Sequence, residues 1–181
     1  GIAFALLALL GIRRALRQAR FGRGTSLAMT AVAAFLPQLL HLAGLALLGW
    51  QAAALKCAAR DAWIGWSAAQ RERHLSGVVN NARFLILPWV RVKSLGSKLL
   101  AMAARRLPSD WEDRYGYRPV LLETFVEHGR FAGTCYRAAN WHWLGQTQGR
   151  GKLGDHRLGQ VPIKDVWVYP LVKDCREQLC R

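Results

Sequence analysis

The chain has 181 residues, 52% hydrophobic and 20% charged, which suits one domain with its own core and excludes a disordered polyelectrolyte, a collagen-like rod and a disulfide-framed miniprotein. Lysine and arginine number 26 against 11 acidic residues, a formal net charge of +15. That field draws polyanions, whether nucleic acid, anionic lipid or the phosphates of a cofactor, and does not choose among them.

Residues 1–41 are read as an apolar, acid-free segment outside the domain, which is expected to occupy residues 42–181. The chain opens at Gly1 rather than at a methionine, which reads as a fragment or a processed chain. No Asp or Glu precedes Asp61, while arginines cluster at Arg13, Arg14, Arg17, Arg20 and Arg23. Leu27 to Leu48 is long enough to span a bilayer. Pro37, Gln38, His41 and the alanine-rich composition weigh against a span, and the scarcity of serine weighs against a transit peptide. A buried helix or strand pair is the favoured reading, and a membrane is not an expected partner. Cys57, Cys135, Cys175 and Cys180 form no Cys-x-x-Cys pair and have no histidine at zinc-ligand spacing. Reduced thiols, no metal and a cytoplasmic address follow as expectations.

Leu45 to Trp50 reads as a short strand, and the alanine-rich Gln51 to Arg60 as either helical or extended. Ser67 is a plausible N-cap for a polar helix over Ala68 to Leu75. Arg83 to Val92 is an almost continuous apolar run, as in a strand covered on both faces, and Pro88 near its end predicts a bulge or a parting from the neighbouring strand that opens a groove. Lys98 to Leu107 carries one apolar face and is expected to stop at Pro108. Pro119 to Val126 is a second strand and Phe131 to Asn140 a second short helix. Trp143 to Thr147 and Val166 to Tyr169 are further strands, separated by a glycine-rich basic loop over Gln148 to Gln160. This order predicts an α/β (α+β) fold, with a mixed, partly parallel sheet flanked by helices.

The chemistry is expected at the turn after the first long strand, Val90-Arg91-Val92-Lys93-Ser94-Leu95-Gly96-Ser97. Small residues there let the backbone approach an anion, a helix N-terminus adds partial positive charge, and Arg91, Lys93 and Lys98 add full charges; an ordinary connection is the alternative. Glu123 lies inside an apolar strand, so it is either a general base with a raised pKa or half of a buried ion pair with Arg83, Arg118 or Arg137. Tyr136, on the helix after that strand, reads as a half-buried aromatic with its hydroxyl hydrogen-bonded. Cys135 reads as a buried thiol rather than a nucleophile. Arg150, Lys152 and Arg157 in the glycine-rich loop are candidates for following a phosphate backbone, with Trp141, Trp143 and Trp167 as stacking surfaces.

The spacing Arg91-x-x-Ser94-x-Gly96 resembles the Gln/Arg-x-x-Gly-x-Gly/Ala turn with which GNAT-type N-acetyltransferases hold the pyrophosphate of acetyl-CoA, with Ser94 in a glycine position. That resemblance implies a GNAT-like fold, acetyl-CoA or another acyl-CoA as cofactor, Glu123 as base, and Tyr136 as the acid that protonates the departing thiolate. From about Leu45 to Arg181 the chain also resembles the DruA family of the Druantia anti-phage system, whose members are also met beside transposases. The residues that carry this are Arg60-Asp61, Ile64-Gly65-Trp66, Asn80 to Val90, Tyr115 to Val126 and Gly133 to Trp141. The DruA resemblance implies a role in phage defence or a mobile element, with DNA or RNA, or other defence-system or transposon proteins, as partners. The alternative to acyl transfer is a non-catalytic nucleic-acid-binding module on the same scaffold.

Overall fold

The computed structural model describes residues 28–30, 46–149 and 161–181. A six-stranded sheet has the spatial order β1-β2-β3-β4-β6-β5, with β1 at Ala28–Thr30, β2 at Ala46–Ala52, β3 at Val78–Ile86, β4 at Leu121–Glu127, β5 at His142–Gln146 and β6 at Lys164–Pro170. All neighbouring strands run antiparallel except β3 and β4. The helices are α1 (Ala58–Ile64), α2 (Ala68–His74), α3 (Leu95–Tyr115), α4 (Thr134–Ala138) and α5 (Cys175–Leu179). This is the expected mixed, partly parallel sheet with helices on both faces.

Strand alternation divides the core in two. On one face Leu48, Trp50, Val79, Leu122 and Trp167 pack with α3 and α4 through Leu99, Leu100, Leu107, Trp111 and Tyr136. On the other, Val78, Leu121 and Val168 pack with α1 and α5 through Ile64, Cys175 and Leu179. Ser67 caps α2 as expected, with a reciprocal capping box: Gln70 N–H donates to Ser67 Oγ at 3.2 Å and Ser67 N–H to Gln70 Oε1 at 2.8 Å. The helix is fastened to Cys180 and Arg181 at both ends: Gln70 Nε2 in its first turn donates to the Cys180 carbonyl, and His74 Nε2 at its last residue bonds the Arg181 carbonyl.

Two expectations are corrected. The strand expected over Arg83 to Val92 instead begins at Val78 and ends at Ile86. Its start was hidden by Asn80 and Asn81, polar residues that are buried here; the Asn81 side chain is satisfied by the Gly49 and Arg83 carbonyls and the Tyr136 hydroxyl, whereas Asn80 Oδ1 has no hydrogen-bond partner among the described residues. The bulge falls not at Pro88 but at Ala82, skipped where Gly49 pairs Arg83 and Trp50 pairs Asn81. Pro88 lies beyond the strand, in a turn closed by Val90 N–H to the Leu87 carbonyl at 2.9 Å. Secondly, α3 does not stop at Pro108 but runs through it to Tyr115. A mid-helix proline costs about 3 kcal/mol. Past it, Trp111 continues the buried stripe of Leu99, Leu100, Ala103, Ala104 and Leu107, Arg106 pairs Asp110 at 2.8 Å, and Trp111 stacks on Tyr115 with centroids 4.5 Å apart. Burying one large aromatic recovers most of that cost.

Candidate functional site

The parallel pair β3–β4 is short. Val78, Val79, Asn80 and Asn81 pair with Leu121, Leu122, Glu123 and Thr124; beyond this last rung the two strands share no pairing, so they part at Ala82 and Phe125. The expected parting is therefore present, but before Pro88 rather than at it: β3 stays paired with β2 on both sides of the Ala82 bulge, and β4 follows β6 in register to its end.

The Tyr136 hydroxyl sits at that last rung. It donates to Asn81 Oδ1 at 2.8 Å and lies 3.4 Å from Thr124 Oγ1, which donates to the Asn81 carbonyl at 3.0 Å. Asn81 Nδ2 donates in turn to the Gly49 and Arg83 carbonyls, so the bulge and the phenol are held by one network. Burial raises the Tyr136 pKa well above the ordinary phenol range, against the pull of the Thr124 hydrogen bond, so near neutral pH the hydroxyl carries its proton. Gly133, which opens α4, has φ 64°, and a Cβ there would lie 2.8 Å from the Trp167 ring. Only glycine lets this helix lie close enough to the sheet for Tyr136 to reach Asn81.

Glu123 lies one residue from Thr124 and so points to the opposite face. It is fully buried. Its ion pair is not with any of the three arginines expected but with Arg60 on α1, 63 positions away in sequence, Nη1 to Oε2 at 2.8 Å. Ala54 N–H donates to Oε1 at 2.6 Å. Arg60, also fully buried, donates further to the Ala54 carbonyl at 2.7 Å and to Asp61 Oδ1 at 2.7 Å. Burial raises the Glu123 pKa above the usual carboxylate range, and the Arg60 guanidinium and the Ala54 N–H pull it back. Glu123 and Tyr136 are thus on opposite faces, with both Glu123 oxygens occupied.

The basic turn links β3 to α3. Arg91, Val92, Lys93 and Ser94 are exposed, and Arg91, Lys93 and Lys98 have no carboxylate partner among the described residues. Val90 packs against the core and anchors the turn. Ser94 has φ 58° and ψ 16°, the left-handed conformation that favours glycine. Ser97 Oγ donates to the Ser94 carbonyl at 3.0 Å. Leu95 and Gly96 face inward: a Cβ on Gly96 would lie 3.1 Å from Cys135 Cβ, so the missing side chain lets α3 approach α4. Burial pushes the Cys135 thiol up, which suits an inert packing role. Three exposed cations without a carboxylate partner among the described residues, on a turn anchored at Val90, are groups that can hold an anion.

Arg150, Lys152 and Arg157 lie outside the described residues. Of the three tryptophans expected to stack bases, Trp141 and Trp167 belong to the core, and only Trp143 is exposed; their places on a helix end and an inner strand decide this. Sequence reading missed a surface cluster in which Asp165 accepts from Trp143 Nε1 and Gln146 Nε2, each at 3.2 Å, and lies 3.1 Å from His128 Nδ1. Against the cost of its partial burial, these hydrogen bonds, that from His128 foremost, hold the Asp165 carboxyl below its usual range. Its members come from β5, β6 and the end of β4, so no local spacing announces them. Among the described residues no group of His, Cys, Asp or Glu could hold a metal ion, and no helix is long and apolar enough to cross a membrane.

The family model described as "Druantia protein DruA" matches residues 41–160. No curated protein matches the sequence. Among solved structures, an N-acetyltransferase from Staphylococcus aureus Mu50 is similar at 13% identity and a TM-score of 0.42, covering 71% of this chain and 61% of its own. This chain therefore spans less than two thirds of that protein. A mosquito arylalkylamine N-acetyltransferase-like protein is similar at 12% identity and a TM-score of 0.40, covering 70% of this chain and 68% of its own. An agmatine N-acetyltransferase in an apo form is similar at 8% identity and a TM-score of 0.40, covering 70% of each chain.

Proposed function

The chain belongs to the DruA family, and on that premise we propose that its open strand pair binds an acyl-CoA and passes the acyl group to an amine as part of phage defence. The observation that carries this reading is the Tyr136 hydroxyl, hydrogen-bonded to Asn81 at the last rung before β3 and β4 part. Arg91, Lys93 and Lys98 meet the donor's phosphates, and Tyr136, kept protonated by burial, gives its proton to the thiolate that leaves. The attacking nitrogen bonds to the acyl carbon as the carbon–sulfur bond breaks, and a proton lost by that nitrogen restores the phenol. Glu123 serves this reading by fastening the segment between β2 and α1 onto the sheet through Arg60 and Ala54.

Calorimetry of the full chain with acetyl-CoA tests the proposal. Saturable binding is expected, weakened about tenfold or more when Arg91 and Lys93 are both changed to alanine, since hydrogen bonds to charged groups contribute about 1.5–3 kcal/mol each. No saturable binding by the wild type would overturn it. A second reading, a nucleic-acid-binding module, is favoured by the absence of any carboxylate between Glu72 and Asp110, a stretch with Arg83, Arg91, Lys93, Lys98, Arg105 and Arg106 all exposed. Affinity for a DNA duplex or single strand that falls steeply with salt, with no acetyl-CoA binding, would favour this second reading.

A further inference from the structure

Two of the eight tryptophans are highly exposed, Trp89 at 69% and Trp143 at 55%. The Trp143 indole N–H is bonded to Asp165, whereas Trp89 has no hydrogen bond or ring contact among the described residues. It is also firmly presented. Pro88 and Trp89 are the two central residues of the hydrogen-bonded turn Leu87–Val90, Pro88 supplying the backbone angle that its position prefers. Val90 anchors that turn to the core. Arg91 and Lys93 follow two and four residues on, both exposed and without a carboxylate partner among the described residues. Leu85 and Val92, 47% and 52% exposed, extend the apolar surface.

An aromatic face on an anchored turn, beside free cations, has the chemistry of a nucleotide: a π-surface for the base and positive charge for the phosphates. We propose that Trp89 stacks the adenine ring of the acyl donor while Arg91 and Lys93 hold its phosphates, so that this turn selects acyl groups carried on coenzyme A over those carried on a bare pantetheine arm. The inference rests on the acyl-transfer reading for the identity of the donor, but the nucleotide site stands on its own residues.

The test is calorimetry on the full chain with coenzyme A, adenosine 3′,5′-bisphosphate and pantetheine, for the wild type, Trp89→Ala and Trp89→Phe. An exposed side chain leaves the fold intact when truncated, and circular dichroism verifies this. Trp89→Ala is expected to weaken coenzyme A and the bisphosphate on the order of 10- to 100-fold, to leave pantetheine unchanged, and to be largely rescued in Trp89→Phe. Coenzyme A and bisphosphate affinities unchanged in Trp89→Ala would overturn the inference and leave acyl transfer standing. Bisphosphate binding that depends on Trp89, with no coenzyme A thioester bound more tightly than the bisphosphate, would uphold the nucleotide site and sink the acyl donor. A single-stranded oligonucleotide is the remaining arm: its binding lost in Trp89→Ala, with no coenzyme A or bisphosphate binding by the wild type, would reassign the indole to nucleic acid and overturn the proposal.

Discussion

The two faces of the sheet treat neighbouring polar residues in opposite ways. Glu123 and Thr124 are adjacent on β4, yet Glu123 is closed into a salt bridge with Arg60 under α1, and Thr124 joins Asn81 and Tyr136 under α4 at the last rung of the β3–β4 pairing. The first is a complete circuit, with every oxygen and guanidinium nitrogen engaged. The second ends on a hydroxyl where the strand ladder stops. Glu123 and Tyr136 are both inside; the difference is that one network closes on an ion pair and the other lies at the last rung of the β3–β4 ladder.

The largest effects should come from breaking the closed side. Arg60→Ala leaves Glu123 as an uncompensated buried charge, and chemical denaturation should show a loss of about 3–5 kcal/mol, whereas a paired Arg60→Met, Glu123→Leu variant should regain most of it. A double variant as unstable as Arg60→Ala would show that the network matters for more than charge compensation. On the open side, Tyr136→Phe keeps the ring packing against Trp141 but leaves Asn81 Oδ1 without its donor. A stability loss of about 1–3 kcal/mol is expected by urea unfolding, with acetyl-CoA affinity nearly unchanged and any acyl transfer reduced about 100- to 10,000-fold. Transfer at the wild-type rate would remove Tyr136 from the chemistry.

A smaller change sharpens the comparison at the basic turn. Ser94→Gly relieves a left-handed backbone that disfavours a Cβ by about 1–2 kcal/mol, partly offset by the greater freedom of glycine in the unfolded chain, so a net gain of about 0.5–1 kcal/mol should appear as a higher Tm. The smallest effect is in the surface cluster. The folded pKa of Asp165 is depressed, so its contribution to stability is present above the ordinary aspartate pKa and is lost as pH falls through the lower folded value. Acid unfolding of His128→Ala should have its Asp165-linked loss moved upward toward the ordinary aspartate range, and an unchanged acid limb would remove His128 as the cause.

The N-cap at Ser67, the alternation of Leu121 to Val126 and the positions of the later strands were legible because they depend on residues two to four apart, where capping and side-chain periodicity operate. The basic turn was legible for the same reason: a strand's apolar run, a cluster of cations and a helical stripe follow one another within the stretch from Arg83 to Leu107. Arg60 as partner of Glu123 was not, because a charge buried on one strand takes whichever opposite charge the packing brings, and α1 brings one from 63 positions away. Nor were Asn80 and Asn81 as strand residues, or Pro108 as a helix interior. In each case tertiary partners outweighed a local preference of a few kcal/mol.

By itself the sequence determined the family, the mixed α and β order and the basic turn with Tyr136 downstream of it, since these follow from residue types and short spacings. Only the tertiary structure decided that Glu123 and Tyr136 face opposite ways, that the strands part at Asn81 and Thr124, and that Trp89 stands in solvent while Trp141 and Trp167 do not. Facing, parting and exposure are set by contacts between segments far apart in the chain, and those contacts exist only once the sheet has assembled.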